Sequence, residues 1–367
     1  MAAEYRYFRE QGAYQGMGQS RNYPALQFTT NAYHEAEDDF FELELYYLYD
    51  QVDEERRVFD VQQAYWLRLV DNYEFRLGWD IVFWGVAESN HLVDIVNQTN
   101  LVASPDREDK LGQAMLGLSW SNDYGVFDAY LLPRFKERTF PGTDGRFRSA
   151  LIVDHSAYES SKKDEHLDYA LRWSQSLGAY EFALSYFDGT GREPLIQPFV
   201  TSRGDTELQA WYEQVKRIGL EVQANIGEWT WKLESVQQQS RTNDFAAAVG
   251  GFEYTRYSAF DTVVDVGLLL EYNYDDRGEE APSGLQDDLF AATRIGVNNA
   301  SSTEVLAGVF YDVEYGDTNW FVEARTRLKD NLFLSIESRL YAWIDSDSVM
   351  YLVKDDDYIE AKLEWFF

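Results

Sequence analysis

Along most of the chain, apolar and polar residues alternate one by one, the period of a strand with one greasy and one wet face. The closing stretch YIEAKLEWFF shows the pattern cleanly. Ile359, Ala361, Leu363, Trp365 and Phe367 form an apolar row, while Tyr358, Glu360, Lys362, Glu364 and Phe366 form a mostly charged one. Segments of this kind recur at intervals of about 10 to 20 residues, the spacing of barrel strands. The first half holds 4–8, 25–33, 41–50, 57–70, 73–84, 111–120, 126–135, 167–174 and 180–188. The second half adds 213–225, 228–238, 247–257, 262–274, 288–298, 303–314, 319–328, 332–343 and the terminal stretch. The count is 18, an even number, with 16 as the alternative.

The connectors alternate in length. Tight ones fall at 71–73, 121–125, 176–179, 226–227, 258–261, 298–302 and 329–331, and long ones at 9–24, 85–110, 136–166, 189–212, 275–287 and 344–357. Short turns at one end and long loops at the other are the arrangement of an outer-membrane barrel. The pattern predicts an all-β fold: a single transmembrane antiparallel up-and-down barrel spanning 1–367, with 85–110 as a plug or constriction. Closure of the first strand, EYRYF, on the last would remove the sheet edge, as hydrocarbon requires.

The alternation also assigns faces. In VVDVGLLLEY, Val264, Val266, Leu268, Leu270 and Tyr272 face lipid, and Asp265, Gly267 and Glu271 face the lumen. Inward rows elsewhere are Glu323, Arg325 and Arg327, then Glu337 and Arg339, then Glu360, Lys362 and Glu364. Opposite charges on neighbouring strands are placed for cross-strand pairing in a watery lumen. Trp229, Trp231, Trp320 and Trp343 lie near strand ends, where interfacial girdles form.

Composition sharpens this reading. Aromatic residues make up 16% of the chain and charged residues 26%, so the rings are too evenly interleaved with charge to fill a soluble core. No run of about 18 apolar residues is present, which leaves no transmembrane helix. Cysteine is absent, which removes disulfides and thiolate chemistry. A net charge of -32 argues against nucleic acid as a partner. MAAEYRYF lacks the basic start and apolar core of a signal peptide, so the outer-membrane reading expects a processed start in a Gram-negative bacterium.

Candidate chemistry concentrates in loops. VFWGVAESNHLVDIVNQTN (82–100) leaves a strand through Trp84 and carries Glu88, His91, Asp94 and Asn97 among Val and Leu. Its loose helical spacing predicts a short amphipathic helix folded into the barrel, acting either as a selectivity constriction or as a seal for the mouth. Glu88, His91 and Asp94 are also a conceivable metal set, although their spacing is poor for one helix face. His34, His91, His155 and His166 are too scattered to nominate a general base, and DHS at 154–156 is no triad, so no catalytic residue and no enzyme activity is expected. The acidic loops DDRGEE, DSDS and KDDDY would either hold calcium or magnesium, bridging to lipopolysaccharide, or remain solvated charge. In 134–148, Arg134, Lys136, Arg138, Arg146 and Arg148 would either bind an anionic substrate or lipopolysaccharide phosphates, or neutralise nearby acidic loops.

Several stretches together, among them VFWGVAESNHLVDIVNQTN, LPRFKERTFPGTDGR, YEQVKRIGLEVQA, GEWTWKLES and DVGLLLEYNYDDRG, resemble a conserved, uncharacterised family of Gram-negative outer-membrane barrels. More distantly, the strand ending in Trp-Gly is similar to alginate-export and porin-like barrels. The resemblance implies an outer-membrane barrel working alongside RND-type exporters and LolA-like periplasmic carriers, and it implies no catalytic residues. The terminal aromatic strand also resembles the signal read by the barrel-assembly machinery.

The leading expectation is a channel passing small polar or cationic solutes through a charge-laddered lumen. A conduit for lipid or hydrophobic compounds, and a structural barrel with a closed lumen, are the alternatives.

Overall fold

The computed structural model describes residues 1–14 and 16–367. The first strands are β1 (Ala2–Phe8), β2 (Asn22–Ala36), β3 (Asp39–Asp50), β4 (Val58–Val70), β5 (Tyr73–Asp80), β6 (Gln98–Thr99), β7 (Lys110–Leu111) and β8 (Gln113–Asn122). Next come β9 (Gly125–Leu132), β10 (Val153–Tyr158), β11 (Asp168–Leu177), β12 (Tyr180–Thr190), β13 (Leu195–Val200), β14 (Thr206–Tyr212), β15 (Gln214–Ile226) and β16 (Trp229–Gln239). The last are β17 (Phe245–Arg256), β18 (Val264–Asp275), β19 (Asp287–Val297), β20 (Thr303–Asp312), β21 (Thr318–Lys329), β22 (Leu332–Ala342) and β23 (Tyr358–Trp365).

Eighteen of these form one closed antiparallel barrel, as the alternation predicts. Closure is made by β1 on β23, in a register that sets Arg6 opposite Glu360 and Glu4 opposite Lys362. Outside the wall, β6 pairs with β7, and β10, β14 and β13 form a small sheet in the loops. Each predicted segment coincides with one barrel strand, with ends shifted by a few residues. The clearest shift is at 73–84, where the wall ends at Asp80. Beyond it the Ile81 N–H bonds the Asp80 carboxylate (2.8 Å) and the Val82 N–H bonds Asn97 Oδ1 (2.9 Å), so the backbone leaves the ladder there.

All the predicted tight connectors lie at one end of the barrel and all the long ones at the other. The termini share the tight-turn end, where the Met1 amino group donates to the Trp365 carbonyl at 3.1 Å.

The side chains are distributed inside out relative to a soluble protein. On β18, Leu268, Leu270, Tyr272 and Tyr274 are exposed, while Gly267, Leu269, Glu271, Asn273 and Asp275 are buried. Glu4, Arg6, Asp50, Arg56 and Glu234 are buried as well. An apolar exterior on a closed sheet with a polar interior is the solution that hydrocarbon allows, because every wall amide is paired and charge points away from lipid. Trp229 stacks on Trp231 (6.0 Å) near the tight-turn rim, and Trp320 is exposed near the loop rim. Trp343 lies just past β22, 75% exposed, at a φ of 56°.

Candidate functional site: the lumen and its inserted loop

The segment 81–112 turns inward from β5 and crosses the lumen before rejoining the wall at β8. It contains no helix, contrary to the expected amphipathic one. The reason lies in its amides, which bond carboxylates of the opposite wall instead of carbonyls one turn back. Val86 and Ala87 donate N–H bonds to Glu234 Oε1 (2.7 and 2.8 Å), and Val93 donates to Glu234 Oε2 at 3.2 Å. Glu88 and Ser89 donate theirs to Glu271, with the Ser89 hydroxyl adding a third group at 2.7 Å. Two buried carboxylates thereby gain partners, and orphan amides gain strong acceptors, each such bond contributing about 1.5–3 kcal/mol. Gly85 permits the approach. Its φ is 139°, and a Cβ there would stand 2.9 Å from Glu234 Oε1.

Behind this latch the loop packs through apolar side chains. Trp84, Val93, Ile95 and Val96 pack against inward residues of the wall, including Met115, Phe187, Val215 and Val236. Val93 fits over Gly219, where any Cβ would meet it at 3.0 Å. The base is stapled by Asn97, whose amide donates to the carbonyls of Asp80 and Leu111, both at 2.9 Å. At the far end Arg56 donates to the Val102 carbonyl (2.8 Å) while pairing with Asp50 (2.7 Å) and Glu4.

The predicted loop residues therefore separate. Trp84 and Asn97 hold the loop together and are almost fully buried. Glu88 pairs with Arg294 at 2.7 Å, His91 with Glu108 at 3.1 Å and Asp94 with Lys110 at 2.9 Å, so the three do not converge on a metal. The described group whose ligand atoms do approach one another is Asp154, His155 and Glu207, on the small loop sheet. The acidic loops find partners within the protein: Asp275 with Arg277 (2.6 Å), Asp356 with Arg146 (2.6 Å), and Asp357 with the Tyr341 N–H (2.8 Å).

The inward charge rows pair much as their alternation predicts. Arg339 bonds Glu323 (2.6 Å) and approaches Glu337 (3.4 Å), Arg6 bonds Glu360 (2.6 Å), and Arg325 reaches Glu364 at 3.1 Å. Arg327 instead lies over the Phe333 ring at 5.3 Å, and Lys362 forms no ion pair among the described residues. The basic loop divides. Arg134 meets Asp164 (3.1 Å), Lys136 meets Asp60, Arg146 meets Asp356, and Arg148 donates to the carbonyls of Thr143 and Ser149. Arg138 has no carboxylate partner among the described residues and faces a cavity.

That cavity, about 380 Å³, lies between the inserted loop and the loop-end wall of β15–β22. Its charged lining is mixed: Arg107, Arg138, Arg192, Arg217 and Arg277 group with Glu193 and Asp275, and Arg339 and Lys110 stand with Asp94, Asp106, Glu108, Asp288, Asp312 and Asp317. Arg192 is committed to Asp168 (2.8 Å) and Arg277 to Asp275 (2.6 Å), with Glu193 3.5 Å away. Burial pushes the Glu193 carboxyl up, but Arg138, Arg277, Arg217 and Arg107 outweigh it and hold the group down at about 2. Burial lowers Arg138 to about 10, opposed by Glu193 and reinforced by Arg107. Arg107 is lowered by the same burial, with Glu193 opposing and Arg277 adding to it.

Sequence reasoning reached His91, Asp94, Asn97, Arg138 and Arg339, which all line this cavity, and missed Arg107, Arg192, Arg217, Arg277, Glu193, and the two latch glutamates as a functional pair. Glu271 was placed correctly on the inward face. The one available signal was Gly85 ahead of a polar loop, which marks a close backbone approach without naming what approaches.

No protein-family model and no curated protein matches the chain. Among solved structures it is similar to Wzi of Escherichia coli, described as an outer-membrane, carbohydrate-binding β-barrel involved in Group 1 capsule assembly. The identity is 11%, the TM-score 0.57, and the match covers all of this chain and 84% of that one. It is also similar to Pseudomonas aeruginosa OpdO, at 12% identity and a TM-score of 0.53, over 99% of this chain and 93% of that one. At these identities the likeness is one of fold: both are large barrels.

Proposed function

We propose that this protein is an outer-membrane channel of a Gram-negative bacterium, its bore held narrow by the 81–112 loop, which admits small polar solutes past a binding cavity. The observation that carries the reading is the latch: five loop residues tied to Glu234 and Glu271, leaving a charged cavity of about 380 Å³ along one wall instead of an open bore. The closed edge-free sheet, the apolar exterior and the loop asymmetry support the membrane location. The polar inward rows favour polar cargo over a lipid. The arginines grouped at Glu193 offer a place for an anionic group in a cavity that also carries carboxylates, so anionic and zwitterionic solutes join the expected polar cargo.

A second reading, a closed binding barrel, is favoured by the apolar packing of Val93, Ile95 and Val96 in the lumen, and Wzi offers a carbohydrate-binding analogue. Planar-bilayer recording separates the two. The unaltered chain should give small unitary currents, and Glu234→Ala combined with Glu271→Ala should raise them severalfold by freeing the loop. A large, steady current that the double variant leaves unchanged would mean that the loop is no constriction. No current from either protein would sink the channel reading and leave the binding barrel.

A further inference from the structure

The arginine cluster has a charge imbalance that the rest of the lumen lacks. Along the inward rows, most buried arginines meet carboxylates in near-complete pairs, as Arg56 does with Glu4 and Asp50. Among the arginines grouped with Glu193, five guanidinium groups pair only with Glu193, Asp168 and Asp275, so two positive charges are left over in that part of the cavity, while the rest of its lining holds Lys110 and Arg339 with Asp94, Asp106, Glu108, Asp288, Asp312 and Asp317. The surplus sits in a chain whose total is 64 acidic against 32 basic residues, so it does not follow from composition.

The unpaired members are identifiable. Arg107, Arg138 and Arg217 form no ion pair with a carboxylate among the described residues. Arg138 bonds only the Gln98 side-chain oxygen, at 3.4 Å, and Arg107 bonds the Pro282 carbonyl. Arg217 bonds Gln238 (2.6 Å) and the Leu92 carbonyl (3.1 Å). The first two keep most of their N–H donors free. All three line the same cavity as Glu193, whose carboxyl their charge helps to hold down.

The heads of Arg217 and of its two ion-paired neighbours, Arg277 and Arg192, are also held in place. Arg277 lies over the Phe245 ring at 3.6 Å and Arg217 over the same ring at 5.7 Å. Arg192 sits over Phe187 at 4.9 Å. Stacking on a ring fixes the guanidinium plane, so less freedom is lost when a ligand arrives. Forked donors in fixed planes, with surplus charge, recognise an oxyanion bearing two charges. The cavity volume is that of a small-molecule site.

We infer that this cavity binds a small dianion, a phosphate or a phosphate monoester, with Arg107 and Arg138 supplying free donors, Arg217 adding its charge, and Glu193 holding the site open as an internal competitor. The inference rests on the cavity described above as the channel's binding site, but it does not require that the barrel conduct. The role of Glu193 follows from its position. It is the one carboxylate that the unpaired arginines share, and an incoming dianion must compete with it for them. Binding should therefore weaken with salt, as screening dictates.

The test is calorimetric titration of the full chain in detergent micelles, with sodium phosphate, glucose 6-phosphate, glucuronate and glucose as probes. Phosphate and the phosphate ester should bind, glucuronate at least tenfold more weakly, and glucose not at all. Arg138→Gln combined with Arg217→Gln should weaken phosphate binding at least tenfold, whereas Glu193→Gln should tighten it severalfold. A purely structural role for Glu193 predicts the opposite sign, because its loss would let the arginines spread. Absence of binding by both phosphates, equal binding of glucose, or weaker binding in Glu193→Gln would overturn the inference. Should the double variant not fold, the sign of the Glu193→Gln effect still decides. Because the readout is made in micelles, a chain that conducts without binding fails here alone, and one that binds without conducting fails only as a channel.

Discussion

Two places in this lumen bury charge, and they do so in opposite ways. At the latch, Glu234 and Glu271 are surrounded by loop amides, and each carboxylate is met by donors from the chain itself. In the arginine group at Glu193, guanidiniums outnumber the carboxylates they pair with, and burial, with repulsion added, pulls Arg107 and Arg138 down. A site whose charge is satisfied internally stabilises the fold. A site left with surplus charge is held together by the rest of the fold and gains from a ligand. The contrast separates structure from candidate function without reference to any relative.

The largest effect should come from breaking the satisfied site. Glu234→Ala removes one acceptor from three buried amides, which at about 1.5–3 kcal/mol for a bond to a charged group costs about 3 kcal/mol or more locally. Hydrogen exchange at residues 86, 87 and 93 should speed up by about a hundredfold, as 1.4 kcal/mol is about tenfold. Arg138→Gln should leave those amides protected. Equal loss of protection in both variants would show the two regions to be one cooperative unit and dissolve the comparison.

The next effect depends on acid. The folded Glu193 value of about 2 lies below its ordinary 4.5, so its contribution to stability is fully present above about 4.5 and is lost as pH falls toward about 2. Thermal unfolding midpoints should drop through that window more steeply for the unaltered chain than for Glu193→Gln. Parallel curves would mean that the arginines do not hold this carboxylate.

How much of the contrast could be read in the sequence follows from what alternation encodes. Period two fixes which side chain points inward, so Glu271, Arg339 and Glu360 were assigned correctly and all the barrel strands were found. It says nothing about which inward side chains meet across the lumen. Ala87 finds Glu234 at a separation of 147 residues, and the cavity arginines come from segments around 107, 138, 192, 217 and 277. The basic run 134–148 looked like one patch because its residues are neighbours in sequence. In the fold, Arg146 turns to Asp356 and Lys136 to Asp60, leaving Arg138 alone at the cavity. The helix expected in 82–100 failed for the same reason. Its apolar spacing was real, as Val93 and Val96 are buried on one side, but its amides were claimed by carboxylates that local sequence does not contain.

Arg138→Gln gives the third effect, with the opposite sign to the first. It removes one surplus charge at the cost of the 3.4 Å bond to Gln98 and of its share in the attraction to Glu193, so the barrel should gain at most about 0.5–1 kcal/mol, the usual return for relieving a functional site of its strain. The unfolding midpoint should rise in phosphate-free buffer, and the gain should shrink once phosphate is added, because the ligand stabilises only the unaltered cavity. A fall in midpoint would place Arg138 with the structural arginines.

The smallest effect concerns the one histidine at the boundary between the two regions. His91 sits on the latched loop and also lines the cavity, with Nε2 3.1 Å from Glu108. Burial pushes the imidazole down, but Glu108, Glu234 and Asp94 outweigh it and raise the group above its ordinary 6.5. A raised value means that the contribution is fully present below about 6.5 and is lost as pH climbs through the folded value. Glu108 is 55% exposed, so solvent screening keeps the pair to a few tenths of a kcal/mol. Raising pH should therefore loosen residues 106–108, seen as faster exchange after correction for the intrinsic pH dependence, while residues 86, 87 and 93 stay protected by carboxylates that need no proton. His91→Gln should abolish the difference between the two stretches. If both loosen together, charge on His91 reaches the latch as well, and the cavity and the constriction titrate as one.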